Sequence, residues 1–294
     1  MRETRSEALQ RLINSALGTN QRIAAIRSCS GGCIHQTELI TLSDGLELFV
    51  KSNRGDETPF VKEAEGLAAI AQTNTLRTPA VVALGALKDD EFCLVLEAIT
   101  ASSKPPNFWS DFGGQLAEMH RCARSNQFGW ASDNYLGSTV QSNQLSNNWC
   151  QFWADQRLGY QIGLAERSGL ATAELQRQVY RVIEKLEQLI GGTSEPASLL
   201  HGDLWSGNYL VGRAGEPVLI DPAAYYGHRE AELAMPILFG GFPDDFFDAY
   251  DSSWPLAAGW RHRVQIYILY HLLNHLNLFG DSYLSSCLQT AQKI

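Results

Sequence analysis

The 294-residue chain contains no apolar run long enough to cross a membrane. Such a span needs about 18 consecutive apolar residues, and the nearest stretch, VQIYILYHLLNHLNLFG, is broken by His and Asn. The amino-terminal MRETRSEALQRLINSALG is charged and has the periodicity of an amphipathic helix. It lacks the continuous apolar stretch of a signal peptide. The six cysteines, Cys29, Cys33, Cys93, Cys122, Cys150 and Cys287, include no Cys-x-x-Cys pair. That speaks against a zinc site and against a disulfide framework. Together these absences predict a cytoplasmic protein. There is no cluster of Lys and Arg, and the net charge is −9 with a pI near 5.3. Wrapping nucleic acid needs a positive stripe, so that class of partner is excluded. No internal repeat or low-complexity tract occurs. His271 and His275 are four apart on a helical pattern, but no HExxH glutamate accompanies them, and they read as packed or surface histidines.

What is present suits a folded enzyme. The hydrophobic share is 45% and the charged share 19%, in a length that suggests one large domain or two ordinary ones. The first hundred residues are strand-rich. RIAAIRS leads into SGGCIHQTELITL, and Asp44-Gly45 turns the chain into LELFVK as a hairpin. PFVKEAEGLAAIAQ has helical spacing, and AVVALGAL and EFCLVLEAI are two further strands. SSKPPN is the expected connector. Beyond it helices dominate: SDFGGQLAEMHRCAR with Ser110 as N-cap, NNWCQFWADQRLGYQIGLAERSG ending at Gly169, and TAELQRQVYRVIEKLEQLIGG. The expected fold is α+β, with a nucleotide-binding lobe over residues 1–100 and a helical lobe over 101–294 carrying a catalytic loop and an acceptor site.

Four short pieces suggest chemistry. Ser30-Gly31-Gly32-Cys33 lies between two strands, where glycines let backbone N–H groups close over phosphate. Lys51 ends LELFVK and shares a strand face with Phe49, so the ammonium could meet phosphate while the ring packs on a base. Glu63 or Glu65 on the next helix could hold it. HGDLWSGN carries Asp203 and Asn208 five apart, a carboxylate to take a hydroxyl proton beside a neutral oxygen ligand for Mg²⁺. His201 reads as a brace for that loop. Asp221, at the end of LID, suits a second Mg²⁺ ligand. Taken singly, each piece has an ordinary structural reading: a glycine hairpin, a surface lysine, a solvated helix face, an Asp before Pro222. The order of all of them together resembles the kinase signature set. Gly202 and Trp205 replace the protein-kinase Arg and Lys, Asp221-Pro222-Ala223 stands at the DFG position, and no APE segment follows. The parts that serve activation loops are missing, which points to a small-molecule kinase.

HGDLWSGN, DPAAYYGHRE, LFGGFP, FGWASDNYLGS and FVKEAEGL resemble the fructosamine kinase (ketosamine-3-kinase) family, over nearly the whole chain from Ile23 to LNLFG. The resemblance implies a protein-kinase-like bilobal fold and MgATP-dependent phosphorylation of the 3-hydroxyl of ketosamines. The unstable 3-phosphate then releases the amine, a deglycation regarded as protein repair. By position, Asp203 would be the base, Asn208 and Asp221 the metal ligands, and Lys51 the phosphate partner held by Glu63, with Glu65 second. Glu97, Ala98 and Ile99 would form the connector that meets adenine. One departure is Glu232, where the family shows Asp; this residue is expected to buttress the catalytic loop.

Trp205 is expected in the sugar pocket with Tyr225, Tyr226 or His228, and Asp133 or Asn134 nearby, since a sugar needs a flat apolar face and a few donors. These aromatics suit a core equally well. Acceptors would be small ketosamines or glycated protein lysines. Cys33 in the glycine turn leaves open a redox-linked homodimer beside a monomer. Two rivals stand: an aminoglycoside- or choline-type phosphotransferase, and a nucleotide-binding pseudokinase.

Overall fold

The computed structural model describes residues 3–29, 36–192 and 195–294, so the expected glycine turn at Gly31, Gly32 and Cys33 lies outside the described residues. The chain begins with helix α1 (Arg5–Leu17). Thr4 and Glu7 form a reciprocal capping box at its start, and Gly18 in the left-handed region ends it. An antiparallel sheet follows, built from β1 (Ile23–Ser28), β2 (Gln36–Leu42) and β3 (Glu47–Arg54). After helix α2 (Thr58–Gln72) it is completed by β4 (Val81–Ala86) and β5 (Glu91–Glu97). The strand order is β1-β2-β3-β5-β4.

Strand alternation decides what β3 offers to each side. Leu48 and Val50 pack with Leu9 and Ile13 of α1, whereas Phe49 packs on the opposite side with Phe60 and Leu67 of α2 and with Leu94 and Leu96. Each such side chain contributes about 1.5–3 kcal/mol when fully buried. Lys51, two residues after Phe49, is thereby turned to the α2 side. Its place in the sheet is fixed by pairing with Thr37 and Leu94.

The rest of the chain is mainly helical. Helix α3 (Phe108–Cys122) is followed by short strands β6 (Arg124–Ser125), β7 (Asn134–Leu136) and β8 (Thr139–Gln141). Next come α4 (Trp149–Phe152), α5 (Tyr160–Arg167), α6 (Ala173–Glu184) and α7 (Leu186–Ile190). Strands β9 (Ala197–Leu200), β10 (Tyr209–Val211), β11 (Pro217–Leu219) and β12 (Tyr225–Gly227) carry the segments of chemical interest. Helices α8 (Ala234–Phe239), α9 (Asp244–Ser253), α10 (Trp260–Phe279) and α11 (Leu284–Lys293) close the structure. Helix α10 is apolar on most of its circumference, and all residues from Val264 to Leu276 except Gln265 and His275 are buried, as expected of a central helix.

The architecture is the expected protein-kinase-like α+β one: a small antiparallel sheet with helices, then a larger helical region. Local details differ. Ser110 lies inside α3; Asn107 precedes the helix, and the Ser110 hydroxyl donates to its carbonyl at 2.9 Å. Between α4 and α5 the helix widens into a π-helical segment, Trp153–Gly159, which periodicity cannot signal. The third expected helix breaks at Lys185 into α6 and α7. The connector packs on the β10–β11 hairpin: Ser102 N–H donates to the Val211 carbonyl at 3.1 Å, and its hydroxyl to the Gly212 carbonyl at 2.6 Å. No helix among the described residues is long and apolar enough to cross a membrane.

Candidate active site

The β10–β11 hairpin brings the polar groups of two distant segments together. Its register pairs Tyr209 with Leu219, so Asn208, just before β10, meets the residues just after β11. The Ile220 N–H donates to the Asn208 carbonyl at 3.1 Å. A second pairing, Leu200 of β9 with Tyr225 of β12, lays the Asp221–Ala224 segment across the loop that begins at His201. The Ala223 N–H donates to the His201 carbonyl at 2.9 Å. Gly202 has φ +84°, a region that favours glycine, and a methyl group there would collide with the Ala223 carbonyl.

Four hydrogen bonds, two of the His201 ring and two to Glu232, brace the His201–Asn208 loop. Burial holds the His201 imidazole below its usual range and neutral. Its Nε2 donates to the Ile220 carbonyl at 2.9 Å, and its Nδ1 accepts from the Asp203 N–H at 3.3 Å. The Glu232 carboxylate accepts from the backbone N–H of His201 and, at 3.0 Å, from that of Gly202. Although burial opposes its charge, contacts with His120 and His201 hold Glu232 below the usual carboxylate range. His120 Nε2 lies 3.5 Å from Glu232, and the Tyr250 hydroxyl bonds His120 Nδ1 at 2.8 Å. The longer side chain of Glu232 thus still reaches both backbone donors.

Asp203 is half-buried. Burial pushes its carboxyl up to about 7, the Asn208 amide opposes, and the charges of Asp221 and Glu232 add to the rise. Asn208 donates to the Asp203 carbonyl oxygen and to its Oδ2, both at 2.9 Å. Asp221 adopts φ +55°, a left-handed conformation that aspartate tolerates better than most residues. Its carboxylate is 45% exposed and contacts the ammonium of Lys51. Lys51 Nζ also reaches Glu63 Oε1 at 2.7 Å. Burial alone would lower the lysine, but the charges of Glu63 and Asp221 outweigh it and hold it protonated. Burial pushes Glu63 upward against the pull of Lys51. Glu65 lies elsewhere, paired with Lys62 at 3.0 Å on the exposed side of α2. One turn beyond Glu63, Gly66 seats α2 on the Asp221 segment: an added Cβ would lie 2.9 Å from Pro222 Cγ and 3.3 Å from Ala224 Cβ.

The remaining expected residues are distributed as follows. Phe49 lines the same face as Lys51, between Phe60 and Leu96. Glu97, Ala98 and Ile99 join the sheet to the helical region and are half-buried. The Glu97 carboxylate is held by Arg77, which also pairs with Glu216 at 3.0 Å and so ties the connector to the hairpin. Trp205 stands 39% exposed, edge-on to Phe239 at 6.4 Å. Asp133 is exposed, accepting from the Asn143 N–H at 2.9 Å, and Tyr226 is half-buried and stacked on Trp130. Asn134, Tyr225 and His228 are buried and engaged internally. Asn134 bonds the Ala224 carbonyl, Tyr225 stacks between Phe152 and the Arg157 guanidinium, and His228 caps Glu230 beside Trp149. His271 is buried and His275 half-buried on α10, the packed positions expected of them.

His120, Arg77 and Gly66 escaped the sequence reading, because each acts through a contact with a distant segment and none belongs to a local motif. A cavity of about 390 Å³ between β6, α4 and α7 shares no lining residue with the Lys51–Asp203–Asp221 cluster.

A model of the fructosamine kinase family matches residues 5–294. The chain is 41% identical over 279 residues to a probable ketoamine kinase of Synechocystis sp., covering 94% of this chain and 92% of that one. It is 38% identical over 273 residues to a chloroplastic protein-ribulosamine 3-kinase of Arabidopsis thaliana, covering 92% and 82%. The crystal structure of a candidate fructosamine-3-kinase of Thermobifida fusca superposes with a TM-score of 0.87 at 33% identity, over 99% of both chains. An aminoglycoside phosphotransferase in complex with ADP and hygromycin B shares the fold alone, with a TM-score of 0.67 at 14% identity over 97% of this chain and 98% of that one.

Proposed function

The chain belongs to the fructosamine kinase family, and from that premise we propose that it transfers the γ-phosphoryl group of MgATP to the 3-hydroxyl of a ketosamine. The product then loses its phosphate and frees the amine. Residues 1–100 serve as the nucleotide lobe and 101–294 as the catalytic and acceptor lobe. The observation that supports this reading is the contact of Lys51 with both Glu63 and Asp221, which ties the sheet, helix α2 and the segment after the hairpin together. Asp203 and Asn208 lie against the same hairpin.

The donor set suits Mg²⁺. Asn208 spends its amide N–H groups on Asp203, and no donor among the described residues occupies its Oδ1. Together with the exposed Asp221 carboxylate it offers two hard oxygen ligands, the number that Mg²⁺ takes when phosphates and waters supply the rest. Asn208 and Asp221 would hold the ion, which neutralises phosphate charge when bound. Lys51 pairs with the nucleotide phosphates, and Glu63 keeps it in place. Glu97, Ala98 and Ile99 meet the base. Asp203 holds the acceptor hydroxyl in line and collects its proton as the O–P bond forms and the bond to the ADP oxygen breaks. Its raised pKa suits a base that works near neutrality.

Trp205, the exposed aromatic of the loop, provides the flat face for the sugar, with Asp133 and Tyr226 nearer the rim. Asn134, Tyr225 and His228 belong to the interior and are left out of this pocket. A coupled ADP-release assay with fructose-, ribulose- and erythrulose-amines, beside choline and kanamycin, tests the assignment. Turnover with at least one ketosamine and with neither of the other two is expected. Turnover confined to choline or kanamycin, or none with any acceptor, overturns it.

A further inference from the structure

The segment from Asp221 to Ala224 is gripped from behind by a buried amide network that the reaction scheme does not use. Gln141, at the end of β8, is 1% exposed and fully hydrogen-bonded. Its Nε2 donates to the Ala223 carbonyl at 2.9 Å and to Asn134 Oδ1 at 2.8 Å, and its Oε1 accepts from the Tyr270 hydroxyl of α10 at 2.9 Å. Asn134 passes its own amide to the next carbonyl, Ala224, at 2.7 Å. Asn143 donates to Asn134 Oδ1 at 2.9 Å, and the buried Arg157 guanidinium donates to Asn143 Oδ1 at 2.8 Å. The links from Arg157 through Asn143 and Asn134, and from Tyr270 through Gln141, end on the two carbonyls that follow Asp221-Pro222. Buried amides satisfied on all sides have one low-energy arrangement, because any rotation leaves a donor or acceptor unpaired.

Ala223 is the node. Its N–H is bonded to the His201 carbonyl, and its carbonyl, which Gln141 holds, lies where a side chain at Gly202 would stand. Gly202 precedes Asp203. The orientation of the Ala223 peptide therefore sets the spacing between the loop of the proposed base and the segment of the proposed metal ligand. We propose that Gln141 is a positioning residue that fixes Asp221 relative to Asp203 by holding the Ala223 carbonyl. This rests on the roles proposed for those two aspartates.

The test compares the affinity of ADP with and without Mg²⁺, by calorimetry, in the wild-type chain and in Gln141→Leu, which keeps the size and removes the donors. Gln141→Leu is expected to bind metal-free ADP as the wild type does and to lose most of the gain that Mg²⁺ brings. Its kcat is expected to fall about 10–100-fold, the span typical of groups that orient metal ligands, with KM for ATP moving far less. Val179→Ala, a buried position of α6, serves as a destabilised control and is expected to keep the Mg²⁺ gain at a lowered melting temperature. If Gln141→Leu does not fold, Tyr270→Phe, which removes the donor to Gln141 Oε1, carries the test, with the same pattern at a smaller fall, about tenfold at most.

A folded Gln141→Leu with the wild-type Mg²⁺ gain and kcat overturns the proposal, as does a Val179→Ala that loses the gain equally. A wild-type chain with no Mg²⁺ gain at all overturns the role of Asp221 first, and this proposal with it.

Discussion

Asn208 donates its side-chain amide to both the backbone carbonyl and the carboxylate of Asp203, at 2.9 Å each. One residue thus orients the proposed base with its nitrogen and leaves its oxygen for the proposed metal. The two residues share a hydrogen-bonded unit, so the effects of changing Asn208 and Asp203 are expected not to add.

Asp203→Asn keeps the fold and the affinity for ATP but removes the proton acceptor. Turnover should fall by at least about 10²-fold, within the span of general-base catalysis. Near-normal kcat in a folded variant would remove Asp203 from its role.

The raised pKa of Asp203 has a sign that stability can check. The folded carboxyl sits near 7, well above its ordinary value, so the folded state holds a proton that the unfolded chain has released. Stability is fullest below the ordinary carboxylate range and is lost as pH rises toward about 7. Asp203→Asn lacks this loss. The difference in melting temperature, variant minus wild type, should grow from pH 4 to pH 7.5. Moving a proton equilibrium by one pH unit is worth about 1.4 kcal/mol, which bounds the effect at about 4 kcal/mol. A pH-independent difference contradicts the raised value. In the wild type, kcat/KM should decline as pH falls below about 7.

Lys51→Met removes the cation between two carboxylates. A charge-assisted contact of this kind is worth about 1.5–3 kcal/mol, so KM for ATP should rise by at least about tenfold. Glu63→Gln should be gentler, since the ammonium keeps Asp221 as a partner. Steady-state kinetics on both variants decide the order; equal KM values in all three proteins would place the nucleotide phosphates elsewhere.

Trp205→Ala should raise KM for the ketosamine by about tenfold while leaving KM for ATP unchanged, as loss of one exposed aromatic platform implies. A rise in the ATP constant alone would move Trp205 out of the sugar pocket.

Much of this site was legible in the sequence, for local reasons. Alternation along LELFVK placed Phe49 and Lys51 on one face, and that is where the Glu63 carboxylate reaches the lysine. The two-residue offset of Glu63 and Glu65 put them on different sides of α2, so only one could serve. HGDLWSGN and the strand-end Asp221 stood out because polar groups interrupt apolar flanks. The parts that were not legible depend on contacts between remote segments. Gln141 and Asn143 lie in a polar stretch, TVQSNQ, that reads as a surface loop, and only α10 and the π-helical turn bury it. His120 reads as one more polar residue on a helix until Glu232 arrives from 112 positions later. Tyr225 and His228 flank a motif yet point inward for separate reasons: alternation in β12 turns Tyr225 to the core while Tyr226 stays half-buried, and His228, just past the strand, caps the turn at Glu230 beside Trp149.

Gly66 leaves α2 no clearance above Pro222. In regulated kinases the corresponding helix swings to assemble or dismantle the lysine–glutamate pair; here such a swing would lift α2 off its glycine-flat seat on Pro222 and leave the Lys51 ammonium with Asp221 alone. The flat seat of Gly66 on Pro222 and the Lys51–Glu63 contact therefore hold together, so that adding a side chain at Gly66 is a way of prising the pair apart.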